Sequence, residues 1–445
     1  MLGRAITFAL VGLEPRRVEV EAHVQSGVPS FTLVGLADRA CQEAKLRVRS
    51  GIKSAQLEWP GNKSTVNLAP ADLKKEGSAF DLPIALALLA ASGQIPRDRL
   101  AEHASCGELA LDGRLRRVGG VLAVAEGARR AGIERLLCSY DACAEAALAG
   151  VEPVGVRHLA EAVAYLRGEV EPPEFVVGNG KARGGTLDLT DVRGQERARR
   201  ALELAAAGRH NILLGGPPGI GKTMLARRLP GILPALDPQQ ALEVTRIHSV
   251  AGLVDPDHPL VGEPPFRAPH HSASTAAIVG GGSRLRPGEA TLAHRGVLLL
   301  DELAEFQRPA LEALRQPLED GEILVARAAG SMRFPASFQL VGTTNLLETR
   351  RHPPLVGIGV EPRGRREVAC SKSSPARWWP TPFRRILSLW RGRTTRQSGA
   401  AAGGPSGLGA APLHHKTKRR SRLWIRRTRA ALSAGAAYLS MLLRC

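Results

Sequence analysis

The sequence predicts an α/β fold, and three stretches carry that prediction. The first is the apolar run Asn211-Ile-Leu-Leu, followed by the loop Gly216-Pro-Pro-Gly-Ile-Gly-Lys-Thr and the helical start Met224-Leu-Ala-Arg-Arg-Leu. The second is Gly296-Val-Leu-Leu-Leu-Asp-Glu, four apolar residues that end in two carboxylates. The third is Phe338-Gln-Leu-Val-Gly-Thr-Thr-Asn, which ends in an amide. Short apolar runs bounded by turn residues read as buried strands.

The chemistry sits at the ends of those strands. The loop fits G-x-x-x-x-G-K-[ST] at every fixed position, between a strand and a helix as that motif requires. Gly216, Gly219 and Gly221 let the backbone turn tightly and aim N–H groups inward at a polyphosphate, with Pro217, Pro218 and Ile220 between them. The helix N-terminus adds partial positive charge. Lys222 reaches the outer phosphates, and the Thr223 hydroxyl ligates Mg²⁺. Asp301 is placed to hold the Mg²⁺ shell, mostly through water, and Glu302 to polarise the water that attacks the γ-phosphate. The bland alternative is a helix cap at Asp301 or Glu302. Asn345 can orient that water or touch the γ-phosphate; its alternative is a turn residue. The expected cofactors are ATP and Mg²⁺.

Residues 1–168 mix strands and helices, so an α+β unit is expected there. Val18 to Val24 alternates apolar and polar as a half-buried strand does, and Phe31 to Val34 is another strand candidate. Arg39 to Ser54 reads as one helix. Thr65 to Pro70 is a strand ending in a turn. Asp81 to Ser92 is a strongly apolar helix with Asp81 near its N-cap and Gly93 closing it. Ser105 to Leu115 is a hairpin turning at Asp112-Gly113. Helix, strand and helix follow at Gly120–Ala131, Arg135–Ser139 and Asp141–Ala149. Residues 169–186 are a Pro/Gly-rich linker. In residues 187–345 the remaining elements are a helix over Gln195–Ala207, a helix over Arg308–Asp320 and a hairpin pairing Gly321–Arg327 with Ser331–Phe334. Adjacent His270 and His271 would point to opposite faces of a strand, so a loop role near the nucleotide is expected rather than a metal site. Arg327 and Arg333 are candidates for DNA phosphates or simply solvated charges.

The formal charge of +19 is not spread evenly. Residues 346–445 hold 21 Lys+Arg against 3 Asp+Glu, leaving 40 and 39 in the first 345. The body is therefore near neutral, and its charge is no argument for nucleic acid. The six cysteines form no C-x-x-C pair, which indicates neither a zinc site nor a disulfide framework. The run Ala5 to Leu13 is too short for a leader, and Ala430 to Leu443 is too short to span a bilayer. The expectation is a cytoplasmic protein with no membrane contact.

The three strand-end motifs together resemble AAA+ ATPases. The stretches FRAPHHSASTAAIVGGGSRLRPGEATLAHRGVLLLDELAEF and QPLEDGEILVARAAGSMRFPASFQLVGTTN resemble the magnesium-chelatase-like branch that contains the ComM/YifB competence-protein family. The resemblance covers residues 1–345. It implies an AAA+ P-loop core at 187–345 and a homo-oligomeric, hexameric motor that remodels DNA by branch migration during transformation. It also puts the histidine pair near the nucleotide or the motor pore. KKEGSAFDLPIALALL and GRLRRVGGVLAVAEGARRAGI resemble the proteolytic domain of Lon-type proteases. The position like the Lon serine is Ser78. The segment that supplies the Lon lysine has none here, so no peptidase is expected. Ser78 instead reads as a helix-entry residue bonded to backbone near Asp81.

The family pattern breaks after Asn345. The resemblance implies a Cys/Pro-rich loop, an arginine that reaches a neighbour's ATP, and a helical lid. The chain instead runs on in Arg, Ala, Gly, Ser and Pro, with no Asp or Asn from 346 to 445. An irregular basic tail is expected there. A frameshift in a GC-rich gene explains the break inside a motif; a genuine nucleic-acid-binding tail is the competing reading. The functional alternatives are a magnesium-chelatase-type ATPase subunit and a non-enzymatic nucleic-acid-binding protein acting through the tail. Against the first, chelatase motors are expected to lack the front domain.

Overall fold

A computed structural model describes residues 1–60, 63–175, 187–281, 286–327, 330–345 and 357–361. The described residues all belong to one compact unit.

The front of the chain forms β1 (Leu2–Val11), β2 (Glu14–Gln25), β3 (Ser30–Val34), α1 (Arg39–Gln42), α2 (Ala44–Ser54), β4 (Lys63–Ala69), α3 (Asp81–Ala91) and α4 (Arg97–Ala101). It continues through β5 (His103–Ser105), β6 (Glu108–Leu109), β7 (Leu115–Arg116), α5 (Val121–Arg130), β8 (Arg135–Ser139), α6 (Cys143–Ala147), β9 (Glu152–Val156) and α7 (Leu159–Arg167). Seven strands make one mixed sheet in the order β3-β4-β2-β1-β5-β8-β9. The apolar run Ala5 to Leu13 is mostly β1, paired antiparallel with β2 from Leu2↔His23 to Val11↔Glu14. Every residue of α3 is buried. This helix packs so closely on β1 that a Cβ on Gly3 would stand 2.2 Å from the Ala87 carbonyl oxygen.

Several local expectations need correction. The single helix over Arg39–Ser54 is two, broken at Glu43. Asp81 opens α3 beside its cap, Phe80, as expected. The buried Asp81 carboxylate accepts from Arg47 at 2.6 and 2.9 Å and from the Leu109 N–H at 3.2 Å. The Ser78 hydroxyl donates to Glu108, and only the Ser78 carbonyl meets the Asp81 N–H. Asp141–Ala149 is a 3-10 turn over Tyr140–Ala142 followed by α6.

The second half forms α8 (Glu196–Gly208), β10 (Asn211–Gly216), α9 (Lys222–Ala226), α10 (Pro238–Val250), β11 (Phe266–Arg267), α11 (Thr275–Val279), β12 (Gly280–Gly281), β13 (Arg286–Pro287) and α12 (Glu289–Leu292). Then come β14 (Val297–Leu300), α13 (Arg308–Ala313), α14 (Arg315–Asp320), β15 (Glu322–Arg327), β16 (Gly330–Pro335), β17 (Gln339–Asn345) and β18 (Gly357–Glu361). The five-stranded sheet runs β11-β14-β17-β10-β18, parallel through its first four strands. Buried residues of α8 and α9 cover one face; α10 to α13 and the β15–β16 hairpin supply the other. The helix expected over Arg308–Asp320 breaks at Leu314. Pro317 has no N–H to continue the ladder. Within the tail expected to be irregular, Gly357–Glu361 pairs antiparallel with β10; the rest of 346–445 lies outside the described residues.

The two sheets are joined through buried polar contacts. Ser249 at the end of α10 donates to Glu145 at 2.5 Å and accepts from the Gly120 N–H at 2.9 Å. Arg117 donates to the Val254 carbonyl at 2.7 Å, and Arg246 pairs with Glu126 at 2.8 Å. The β1–β2 turn inserts Leu13 into the apolar cluster of the second half, with Gly12 against Met332 and Phe334. Among the described residues no helix is long and apolar enough to cross a membrane.

Candidate functional site

Register brings the three motifs together. In a parallel sheet the strand ends line up, so residues at matching register share one edge. β17 lies between β14 and β10, with Leu300 opposite Gly342 and Gly216 opposite Asn345. The carboxylates after β14, the amide ending β17 and the loop after β10 therefore stand side by side.

The loop is shaped by its glycines. Gly219 and Gly221 have φ of 80° and 87°, in the left-handed region. A Cβ on Gly216 would lie 2.3 Å from Ile220 Cδ1. Pro218 and Gly219 are exposed, while Pro217, Ile220, Gly221, Lys222 and Thr223 are half-buried. The helix behind the loop, α9, has only five residues. Its dipole is therefore short, and the loop N–H groups carry more of the anion-binding argument than the expected helix end.

Lys222 closes over this loop. Its ammonium donates to the carbonyls of Gly216 at 2.9 Å and Pro217 at 2.8 Å, and to Asn345 Oδ1 at 3.0 Å. Burial lowers its pKa, opposed by Asp301 and Glu302. The Thr223 hydroxyl reaches Asp301 Oδ2 at 2.9 Å and Oδ1 at 3.1 Å. A hydroxyl beside a carboxylate is a hard-oxygen donor set of the kind Mg²⁺ takes, with water and phosphate oxygens completing the shell. Glu302 is exposed at the same edge with its backbone in the left-handed region, φ 53° and ψ 54°. For a residue with a Cβ that conformation is uncommon and clusters at functional positions.

Two residues that carried no spacing signal also belong here. Thr343, buried in β17, donates to Asp301 Oδ1 at 2.5 Å and accepts from the Glu302 N–H at 2.9 Å. Gln195 donates to the Ile220 carbonyl at 3.1 Å and so braces the loop from the start of α8. A strand hydroxyl and a cap amide have no motif to announce them.

The histidine pair follows β11, whose Arg267 lies opposite Leu298 of β14. His270 and His271 are in a loop, not a strand, and their rings stack with centroids 4.0 Å apart instead of diverging. His270 is held by Ser272 at 2.8 Å. Arg333 is exposed on β16 and faces Glu322 loosely at 3.8 Å; the side chain of Arg327 lies outside the described residues. In the front half the buried Lys75 ammonium donates to the Pro70 carbonyl, and Ser78 to Glu108.

Known proteins match both halves. A model described as magnesium chelatase, subunit ChlI matches residues 188–352, and one described as subunit ChlI of Mg-chelatase matches residues 20–142. An uncharacterised protein of Mycobacterium tuberculosis is 49% identical over 346 residues, 77% of this chain and 69% of its own. The competence protein ComM of Haemophilus influenzae is 46% identical over 344 residues, 76% of this chain and 67% of its own. The magnesium-chelatase 38 kDa subunit of Cereibacter sphaeroides is 30% identical over 197 residues, 40% of this chain and 59% of its own. The front half thus matches a model that itself carries the ChlI description.

Proposed function

Because this chain belongs to the ComM/YifB family of magnesium-chelatase-like AAA+ ATPases, we propose that it binds ATP with Mg²⁺ between Gly216–Thr223, Asp301, Glu302 and Asn345. The observation that carries the reading is the convergence of Lys222 on Asn345 and of Thr223 on Asp301, across 123 and 78 residues of sequence. The loop N–H groups and Lys222 bind and orient the phosphates. Thr223 and Asp301 hold the ion, whose chemistry is to neutralise charge on the phosphate oxygens. Glu302 takes the proton from the attacking water, and Asn345 fixes that water in line. The family implies an assembled ring; DNA as the remodelled substrate follows from the likeness to ComM. That likeness extends over far more of the chain than the chelatase alignment and at higher identity, which favours it over metal insertion.

We further read the front sheet as a Lon-like module without peptidase activity, since Ser78 bonds a carboxylate and its segment partner supplies no lysine. We read the sequence after Asn345 as out of frame. A match that covers 77% of this chain and 69% of the relative leaves a part of each outside the alignment, which accords with that reading. An arginine finger contributes on the order of 10³–10⁵ in rate, so the chain as written should bind ATP and turn it over slowly. Equilibrium titration of the purified chain with Mg²⁺·ATP tests the site. Lys222→Ala is expected to weaken binding by roughly 10–100-fold, and equal affinity for the two proteins would remove Lys222 from the phosphate site. Turnover of several per second by the unaltered chain would refute the impairment. If neither of the other two reading frames after codon 345 encodes a Cys/Pro-rich loop and lid, the frameshift is wrong.

A further inference from the structure

We infer that Thr343 is a positioning residue for the carboxylates of the nucleotide site, setting how strongly Mg²⁺ tightens nucleotide binding. The inference rests on the ATP–Mg²⁺ reading above and goes beyond it by adding a residue that touches neither phosphate nor ion. Three observations carry it. Thr343 is 1% exposed, so water cannot stand in for its hydroxyl. That single hydroxyl joins two consecutive site residues, donating to Asp301 Oδ1 at 2.5 Å and accepting from the Glu302 N–H at 2.9 Å. The residue it holds by the backbone, Glu302, has the left-handed φ of 53°.

The geometry explains the division of labour. With Leu300 opposite Gly342, the next residues along, Asp301 and Thr343, meet across the end of the ladder. Thr343 fixes Asp301 Oδ1 from the β17 side, while the Thr223 hydroxyl lies nearer Oδ2, at 2.9 Å against 3.1 Å to Oδ1, where the ion would be shared. A carboxylate pinned at one oxygen cannot rotate away when the other is asked to ligate. The same hydroxyl occupies the N–H of a residue whose backbone would otherwise relax towards ordinary φ. Thr344, next in the strand, alternates to the opposite face and lacks this geometry. A β-branched residue is also the natural occupant of this buried strand position.

The test compares the full chain with Thr343→Val, which keeps the shape and deletes the hydroxyl, and Thr343→Ser, which keeps the hydroxyl. Binding of a fluorescent ATP analogue is measured with Mg²⁺ and with EDTA. The unaltered chain and Thr343→Ser should bind more tightly with Mg²⁺. Thr343→Val should lose roughly 10-fold or more of that gain, the range of one bond to a charged group, with its EDTA affinity unchanged. A Thr343→Val chain that keeps the full Mg²⁺ gain overturns the inference, as does a Thr343→Ser chain as weak as Thr343→Val. If Thr343→Val does not fold, Thr343→Ala is compared with Asp301→Asn and with the double variant. No loss beyond Asp301→Asn supports action through Asp301; an additive loss overturns it. An unaltered chain that binds no nucleotide under either condition would instead sink the ATP reading, and this inference with it.

Discussion

At the scale of single residues, what the sequence announced was spacing, and what it withheld was everything reached by folding. Lys222, Thr223 and Asp301 stand in fixed relation to glycines and apolar runs, so their chemistry could be named before their contacts were known. Thr343 and Gln195 have no such relation, and only register and packing put them at the site. The same holds for buried histidines. Burial lowers the pKa of His103, His248 and His294 from the usual 6.5, outweighing the Glu243 carboxylate beside His294 and the carbonyl bonds of the other two. Each is harder to protonate in the fold than in the unfolded chain. Their contribution is therefore fully present above pH 6.5 and is lost as pH falls below it, by up to about 1.4 kcal/mol per pH unit for each proton. The raised carboxyl of Asp81 acts in the opposite sense, above its usual 3.8. Thermal unfolding followed by circular dichroism from pH 7.5 to 5.5 should show a melting temperature that drops below pH 6.5. His103→Gln should make the drop shallower, and a flat profile in the unaltered chain would contradict the assignment.

At the scale of elements, the strongly patterned segments were legible and the boundaries were not. The apolar helix at Asp81, the Asp112-Gly113 hairpin and the strands ending at Gly216, Leu300 and Asn345 all form. The apolar run of β1 carries no turn signal or clean alternation that would separate a strand from a leader. α10 does carry a local signal, Asp237 capping Pro238-Gln-Gln240 with a reciprocal side-chain bond. The break at Leu314 goes with Pro317 three residues on, a local signal that the leucine spacing masks, and nothing in the periodicity marks the break at Glu43. The element most exposed to test is α3, held by one buried ion pair at its first turn. Asp81 is fully buried, and the Arg47 side chain is 20% exposed. Removing the arginine alone strands a buried carboxylate, which costs about 3–5 kcal/mol. Arg47→Ala should lower the urea midpoint accordingly, while Arg47→Ala with Asp81→Ala should recover part of the loss. A single variant within about 0.5 kcal/mol of the unaltered chain, the range of an ordinary surface substitution, would show that the pair is not what fixes α3.

At the scale of the whole molecule, the junction between the two sheets was invisible in the sequence, because its partners are 104 and 120 residues apart. Glu145 is the centre of that junction. It is 2% exposed and receives Arg117 at 2.5 Å, the Leu122 N–H at 3.0 Å and Ser249 at 2.5 Å. Two of those donors belong to the front half and one to α10, so the carboxylate serves the front core and the junction at once. Leu13 makes the second tie by entering the apolar cluster around the β15–β16 hairpin. A buried polar link of this kind is costly to break from one side, which makes the halves unfold together as long as it holds. Ser249→Ala with Leu13→Ala removes the Ser249 hydroxyl and the Leu13 side chain from the junction, leaving Arg117 and Leu122 on Glu145 and the Arg246–Glu126 pair in place. The unaltered chain should melt in one calorimetric transition and the double variant in two. Mg²⁺·ATP should raise only the transition of the half that holds Gly216–Thr223, because a ligand stabilises only the folding unit that binds it. A single transition in the double variant, shifted as a whole by nucleotide, would mean the halves are coupled by something other than these contacts.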